Sequence, residues 1–229
     1  MDLDAPAGTE FAVWETCKVV IMDPFEVYVE CLQECFDFGA LRAFWGRGGG
    51  ATLLFDDMHG AGGPFARRLL VEELGMDPAT LMRCNPRTDF GGCHPDPHLT
   101  YAHELVAKMC FRPDGSAAPP PAGDAPALPT LGAANNGDSD RNMIVGAGFF
   151  VTPSDSMALI LDNWEAIPHF AKRGGARGAA RSMPSSAALD AVATAKEIPL
   201  FITLTGWKFF GNLMVRPASV PPAPTRRRT

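Results

Sequence analysis

Residues 52–84 limit the fold of this chain most strongly, because two strand-like runs flank one helical pattern there. Residues 52–55 form a compact apolar run, a Gly-rich turn follows, and residues 65–74 place apolar side chains at helical spacing. Residues 80–84 are again of strand length and are predicted to form a second strand. A strand, a helix and a strand in this order form a βαβ unit, which predicts a parallel sheet covered by helices.

A second alternation of helices and strands begins after a boundary that we place near Phe149. Residues 152–155 read Thr-Pro-Ser-Asp, a signature of a helix start with Pro at the first helical position. Residues 187–195 then predict a helix and residues 199–204 a strand. The sequence therefore predicts an α/β fold class with two similar units in succession.

Residues 132–143 predict a buried strand, a tight acidic loop and a second apolar segment. Asp138 and Asp140 alternate with small residues, and Asn136 stands where a third alternating acid would stand. Converging oxygen ligands suit Mg²⁺ or Ca²⁺. A calcium-binding hand is excluded, because the sixth position counted from Asn136 is Arg141 rather than Gly. The same residue types also build ordinary solvated turns, so on these residues alone both interpretations stay open.

Composition narrows the classes of partner. The formal net charge of −6 gives no electrostatic reason to expect nucleic-acid binding. No apolar run approaches the ~18 residues that span a bilayer, so no membrane partner is predicted. The six cysteines contain no C-x-x-C pair and lie among apolar residues, which favours free thiols in a reducing compartment such as the cytoplasm.

Three segments lack the pattern of a packed element. Residues 1–16 show no clear period and are interpreted as a connector. Residues 112–130 contain six prolines and five alanines with little else apolar, and we predict a disordered insertion there. Residues 215–229 are rich in Pro and Arg and are predicted to be a disordered tail.

Six motifs occur in one order along the chain. They are FDDMHG at 55–60 with GP at 63–64, DFGGCHPDP at 89–97, GDSDRNM at 137–143, FFVTPSDS at 149–156, ARSMP at 180–184 and TGWKFFGNLM at 205–214. Together they resemble the long, eukaryotic-type phosphoglucomutases of the α-D-phosphohexomutase family, over roughly residues 18–214.

The resemblance implies two consecutive α/β/α layered domains of the phosphohexomutase type. Residues 17–148 would form the metal-loop domain, and residues 149–214 a sugar-recognition domain that is incomplete. It also implies an intramolecular phosphotransferase, an isomerase of carbohydrate metabolism that uses Mg²⁺ and acts on a hexose phosphate. Such an enzyme interconverts glucose 1-phosphate and glucose 6-phosphate through glucose 1,6-bisphosphate, which is also the family's activator.

Several site residues of the family can be assigned to matching positions in the motifs of this chain. By resemblance, Asp138 and Asp140 match the second and third metal aspartates, and Arg141 matches the neighbouring cleft arginine. Thr205 and Gly206 match the turn that faces the sugar. A metal ion would neutralise charge on a transferring phosphoryl group, and cleft cations would hold its oxygens.

Two departures from the family pattern shape our expectations. Asn136 takes the place of the first metal aspartate, which removes one negative charge and predicts weaker Mg²⁺ binding. No segment matches the family's catalytic serine, so no catalytic residue is assigned, and the chain is predicted to be a fragment that is inactive alone. The alternative is a non-catalytic protein that binds a sugar phosphate or a metal.

Overall fold

A computed structural model describes the backbone of most of the chain as two α/β units. The described residues are 2, 5–46, 48, 50–112, 114–119 and 127–215. The strands are β1 (Glu10–Trp14), β2 (Cys17–Val20), β3 (Leu53–Asp56), β4 (Leu81–Met82), β5 (Leu131–Asn135), β6 (Asn142–Gly146), β7 (Phe149–Val151), β8 (Ala179–Ser182) and β9 (Leu200–Thr203). The helices are α1 (Pro24–Cys35), α2 (Phe38–Trp45), α3 (Gly63–Ala66), α4 (His103–Lys108), α5 (Ser156–Asp162), α6 (Pro168–Ala171), α7 (Ala188–Ala195) and α8 (Trp207–Met214).

The first unit is built on a five-stranded sheet with the order β4-β3-β5-β6-β7. β3 pairs in parallel with both β4 and β5, which confirms the βαβ unit predicted from residues 52–84. β5, β6 and β7 pair antiparallel in succession. The helical segment between β3 and β4 begins as α3 and continues as a π-helix over Arg67–Glu73.

Helices cover both faces of this sheet because neighbouring side chains of β3 point to opposite sides. Leu54 packs with Leu105 and Met109 of the α4 region in one buried cluster. Leu53 packs in a second cluster with residues of α1, α2 and the π-helix, including Val29. The first unit therefore has the α/β/α layering that the sequence predicts.

Two aspartates fix where the first helices begin. Asp23 accepts a hydrogen bond from the backbone N–H of Phe25 at 2.8 Å, and Asp37 accepts one from the N–H of Ala40 at 2.9 Å. Each satisfies an N–H group that has no partner within its own helix, a contribution of about 1 kcal/mol per cap.

The second unit contains a smaller parallel sheet. β8 pairs in parallel with β9, and α7 connects them, so the βαβ arrangement recurs as predicted. Leu189 and Ala193 of α7 are buried against Leu161 of α5 and Ala179 of β8. The predicted incompleteness of this unit stays a prediction.

The structure corrects the predicted connector. Residues 10–14 of the predicted connector form β1, which pairs antiparallel with β2, so regular structure begins earlier than predicted. The residues of this hairpin are mostly exposed, which is why no buried periodicity marks it in the sequence. β7 begins at Phe149 and pairs with β6, so the first sheet extends to Val151.

The predicted insertion at 112–130 is hydrogen-bonded where the structure describes it. The N–H of Arg112 donates to the carbonyl of Ser116 at 2.9 Å, and the N–H of Ala118 donates to that of Cys110 at 2.7 Å. Residues 113 and 120–126 lie outside the described residues, and so does the predicted tail beyond residue 215. The disorder predicted for those segments stays a prediction.

Two further findings concern the whole of the described chain. All six cysteines are free thiols, as the sequence predicts. None of the helices in the described ranges is long and apolar enough to cross a membrane.

Candidate functional site

The acidic loop, residues 136–141, lies at the carboxyl end of β5 and joins it to β6. The two strands pair up to Asn135 and Asn142, which confirms the predicted strand, loop and strand. β5 runs parallel to β3, whose carboxyl end carries Asp56 and Asp57. Two acidic segments therefore meet at one edge of the sheet, the edge at which α/β proteins bind ligands.

The side-chain amide of Asn136 holds the acidic loop together. Asn136 is 4% exposed, and its Nδ2 donates to Oδ1 of Asp138 at 2.6 Å and to Oδ1 of Asp140 at 2.9 Å. Its Oδ1 accepts a hydrogen bond from the backbone N–H of Arg141 at 2.9 Å. The structure thus brings together all four residues that the sequence analysis assigns to this loop.

These contacts fix which way the Asn136 amide points. An amide rotated by half a turn would place its oxygen against two carboxylate oxygens and its NH₂ group against an N–H donor. The hydrogen bond from Asn136 is also the largest cause that lowers the pKa of Asp140 below its usual value. The amide therefore stabilises the ionised loop.

Two neighbouring loops hold the acidic loop through Gly137. The Gly137 N–H donates to the carbonyl of Pro95 at 3.2 Å, and the Gly137 carbonyl accepts from the N–H of Ala61 at 2.9 Å. A Cβ at Gly137 would lie 2.9 Å from Cε1 of Phe90, so only glycine fits without a shift. The acidic loop is consequently packed between the segments that carry two of the other sequence motifs.

Arg141 presents a positive charge next to the loop. Its Nη1 lies 2.9 Å from Oδ1 of Asp96, and its Nε lies 3.6 Å from Oδ1 of Asp140. The Arg141 side chain is 60% exposed, so the guanidinium faces solvent at the edge of the sheet. A planar cation in this position suits the oxygens of a phosphate group.

Asp56 is buried and fully paired below the loop. Its Oδ2 lies 2.5 Å from Nη2 of Arg83, and its Oδ1 accepts from Nε of the same guanidinium at 2.9 Å. The backbone N–H of Met58 donates to Oδ1 at 3.0 Å. The Asp56 side chain is 0% exposed and that of Arg83 is 9% exposed, so this is a bidentate ion pair inside the protein.

Asp57 is also buried but lacks such a partner. No described group makes a hydrogen bond of acceptable geometry to either of its carboxylate oxygens. Burial is the largest cause that raises its pKa from 3.8 to about 6, while the nearby Gly63 N–H and the Ser139 and Asn135 side chains lower it in part. Two consecutive carboxyl groups at the end of β3 therefore differ: Asp56 is paired with a buried guanidinium, and Asp57 is buried without such a partner.

A cavity of about 460 Å³ lies beside the acidic loop. Asp138 and Ser139 line it on the loop side, and Tyr28, Phe65 and Leu69 line it on the helical side. Its volume falls within the range of about 300–1,000 Å³ that is usual for small-molecule sites. One polar wall and one apolar wall allow it to hold a ligand that has both kinds of surface.

The loop does not fit Mg²⁺ in the conformation that the structure shows. Mg²⁺ takes oxygen ligands at about 2.0–2.1 Å in octahedral geometry. Between the two carboxylates of Asp138 and Asp140, Asn136 presents a nitrogen. Within the described ranges, no group of three or more His, Cys, Asp or Glu side chains is placed to hold a metal ion. A ligand role for Asn136 requires its amide to rotate and to break the bond from Arg141.

Thr205 and Gly206 lie in the second unit, in the turn between β9 and α8. Gly206 has φ 124° and ψ 140°, a conformation essentially restricted to glycine, so the turn depends on it. Thr205 is exposed. No hydrogen bond described in the structure joins these two residues to the acidic loop, and their predicted sugar-facing role stays a prediction.

Asp57 and Asp96 were not predicted from the sequence as site residues. A signal for Asp57 was present, because it follows β3 just as Asn136 follows β5, and parallel neighbours end at the same edge. No comparable signal existed for Asp96. It reaches Arg141 only because the 90–97 segment folds over the acidic loop.

Comparison with known proteins identifies the class of these units. Residues 26–148 match the model of phosphoglucomutase/phosphomannomutase α/β/α domain II. Residues 152–220 match the model of α/β/α domain III. The fold and the loop thus define a tandem pair of sugar-phosphate mutase domains. The chain belongs to the phosphoglucomutase/phosphomannomutase family.

Individual relatives agree with this class. A probable cytoplasmic phosphoglucomutase of Arabidopsis thaliana is 48% identical over 216 residues, which is 93% of this chain and 35% of the relative. Phosphoglucomutase-1 of Dictyostelium discoideum is 46% identical over 196 residues, which is 86% of this chain and 32% of the relative. The chain thus spans about a third of the length of these relatives.

Solved structures match the fold. The parafusin phosphoglucomutase of Paramecium, in an open form, superposes with a TM-score of 0.80 at 43% identity, covering 93% of this chain and 36% of that one. A putative phosphomannomutase of Thermus thermophilus has a TM-score of 0.62 at 24% identity, covering 85% of this chain and 39% of that one. The second likeness concerns the fold alone.

Proposed function

We propose that the chain forms part of a cytoplasmic phosphoglucomutase that interconverts glucose 1-phosphate and glucose 6-phosphate through glucose 1,6-bisphosphate. The observation that carries the proposal is the 48% identity to a plant phosphoglucomutase over 93% of the chain. Several relatives of similar identity also bear the name of cytoplasmic phosphoglucomutases. The substrates, the isomerase reaction and the location are extended from them to this chain.

In the first unit, the residues that serve this function bind the phosphate group of the substrate. The exposed guanidinium of Arg141 holds phosphate oxygens, because it can donate two parallel hydrogen bonds to them. Asp138 and Asp140 keep Arg141 and the loop in place through the amide of Asn136.

The second unit binds the sugar part of the substrate. The exposed hydroxyl of Thr205 can donate to or accept from a sugar hydroxyl, and the Gly206 backbone allows close approach, since it carries no Cβ.

The 229 residues alone are expected to bind hexose phosphate without turning it over, because they span about a third of the relatives. The test is a coupled assay of glucose 1-phosphate conversion by the purified chain, with glucose 1,6-bisphosphate and Mg²⁺ supplied. Calorimetric titration of the same chain with glucose 1-phosphate measures binding. Measurable turnover would contradict the first expectation, and the absence of any binding heat would contradict the second.

Arg141→Met tests the phosphate contact. We expect the affinity for glucose 1-phosphate to fall about tenfold or more, because a charge-assisted hydrogen bond contributes about 1.5–3 kcal/mol. Arg68→Met is the matched control, since Arg68 is also exposed and paired, with Glu72 at 2.8 Å, but lies on the π-helix. Equal affinities of the two variants would show that Arg141 does not hold the phosphate.

A non-catalytic sugar-phosphate-binding protein is the second candidate function. The amide at position 136 favours it, because its nitrogen occupies the point where a phosphoryl-transfer site of this family is expected to hold a cation. The mass of the protein isolated from its source separates the two candidates. A species near 24.5 kDa favours the binding protein, and one about three times heavier favours the enzyme.

A further inference from the structure

A group of this chain's own holds the two carboxylates of the acidic loop together. Oxygens of Asp138 and Asp140 converge on one point, a geometry that two negative charges do not adopt without a positive group between them. In this chain the group at that point is the NH₂ of Asn136, which donates one hydrogen to each carboxylate.

These contacts use both donors and the oxygen of the Asn136 amide. Both of its N–H donors are used, and its oxygen accepts from the backbone of Arg141. The Asn136 backbone N–H also donates to the Arg141 carbonyl at 3.3 Å, so backbone and side chain together close the ring of residues 136–141. Because the side chain is 4% exposed, water competes weakly for these bonds.

A carboxylate at position 136 would behave in the opposite way. It has no N–H to donate, and it would add a third negative charge beside two others while Asp57 lies buried on the adjacent strand. Such a loop needs a cation to bring its three acids together, and its affinity for a cation rises with the number of charged ligands. One residue therefore decides between a loop closed by hydrogen bonds and a loop closed by a metal ion.

We propose that Asn136 acts as a built-in substitute for the cation, so that the acidic loop of this chain folds without a divalent metal and binds Mg²⁺ only weakly. The proposal concerns the loop that the proposed function also uses, but hexose-phosphate binding is not required for it. The two are tested by separate measurements.

The main experiment compares the full chain with its Asn136→Asp variant. Mn²⁺ binding is followed by the electron paramagnetic resonance of the free ion, and Mg²⁺ is used as competitor. Thermal unfolding is measured in EDTA and in Mg²⁺. We expect Asn136→Asp to bind Mn²⁺ at least about tenfold more tightly than the unaltered chain, since a charged ligand replaces a neutral one. We expect its Tm to be lower in EDTA and to rise with Mg²⁺.

Asn142→Asp is the matched control. Asn142 is exposed, pairs with Asn135 directly after the loop, and its substitution adds the same charge outside the ring of residues 136–141. We expect this control to bind Mn²⁺ as the unaltered chain does and to have a Tm that does not respond to Mg²⁺. An equal gain of affinity in both variants would mean that net charge, rather than the position of Asn136, controls the metal, and would overturn the proposal.

Measurements on the unaltered chain decide the matter if Asn136→Asp does not fold. In nitrogen-15 spectra, the side-chain NH₂ signals of Asn136 should be protected from solvent exchange in EDTA and unchanged by Mg²⁺. The Tm of the unaltered chain should be the same in EDTA and Mg²⁺. A Tm that rises with Mg²⁺, or NH₂ signals that move on its addition, would overturn the proposal.

Discussion

The acidic loop and the Asp56–Asp57 pair occupy adjacent strand ends, and they handle negative charge in different ways. The loop is exposed at Asp138 and Asp140, yet its carboxylates find donors in the amide of Asn136. The pair on β3 is fully buried, and only Asp56 finds a partner, the guanidinium of Arg83.

The number of hydrogen-bond donors that reach the carboxylates, more than the number of carboxylates, therefore decides how each region responds to a cation or to pH. A loop whose acids are already satisfied gains little from a cation. A buried carboxylate without a donor, such as Asp57, costs free energy when it ionises and responds to pH. The two regions also touch, because the side chains of Asp57 and Ser139 meet at Gly62.

The largest expected effect comes from removing Arg83, the ion-pair partner of the buried Asp56. Arg83→Met leaves the carboxylate of Asp56 buried with only the N–H of Met58, and we expect a loss of about 3–5 kcal/mol in the free energy of unfolding. Urea denaturation measures it. Arg87→Met is the control, because its ion pair with Asp89 is exposed and should contribute little to stability. Similar losses in both variants would remove the distinction between buried and exposed pairs.

Asp57 should produce the next largest effect, visible as a pH dependence. Its pKa is about 6 in the folded state against 3.8 ordinarily, so between these values the folded state binds more protons than the unfolded state. Stability contributed by this group is therefore present below about pH 4 and lost as the pH rises through about 6. The full loss corresponds to about 3 kcal/mol.

Asp57→Asn should remove the loss of stability that occurs as the pH rises from about 4 through about 6. The measured quantity is the difference in free energy of unfolding between the unaltered chain and the variant, followed from pH 4 to pH 7. We expect the difference to shift in favour of the variant as the pH rises. Asp162→Asn, at a carboxyl that is 61% exposed, is the control and should leave the profile unchanged. A constant difference for Asp57→Asn would contradict the raised pKa.

The smallest effect tests whether the two regions are coupled through Gly62. A Cβ at this position would lie 2.7 Å from Oδ1 of Asp57 and closer still to Oγ of Ser139. We expect Gly62→Ala to cost about 1–2 kcal/mol, because the loop and the strand end must move apart. Ser139→Gly removes the side chain on the loop side and suits the φ of 60° there, so the double variant should recover part of the loss.

Gly211→Ala is the control for that comparison. Gly211 lies within α8 and a Cβ there meets no atom within 4 Å, so the substitution should stabilise the chain by about 0.5–1 kcal/mol. Thermal unfolding of the four variants measures both effects. Additive losses in Gly62→Ala and Ser139→Gly would show that the two regions act independently.

Much of the fold follows from local patterns. The apolar run at β3 and the buried strand at β5 were visible as strand signals. The exposed strand β1 was not predicted, because a strand that buries few side chains does not need to alternate apolar and polar residues. The pairing of β7 with β6 was not predicted either, because it depends on which sheet has a free edge.

The amino-acid sequence by itself determined the α/β alternation, the family resemblance and the membership of Asn136, Asp138, Asp140 and Arg141 in one loop. These depend on spacing along the chain, and a six-residue hairpin loop keeps its members close whatever surrounds it. Only the tertiary structure decided which way the Asn136 amide points and that Asp57 lies unpartnered beside Ser139. Both depend on which donors reach a buried carboxylate, and those donors come from segments that are distant in sequence or from the backbone of the folded loop.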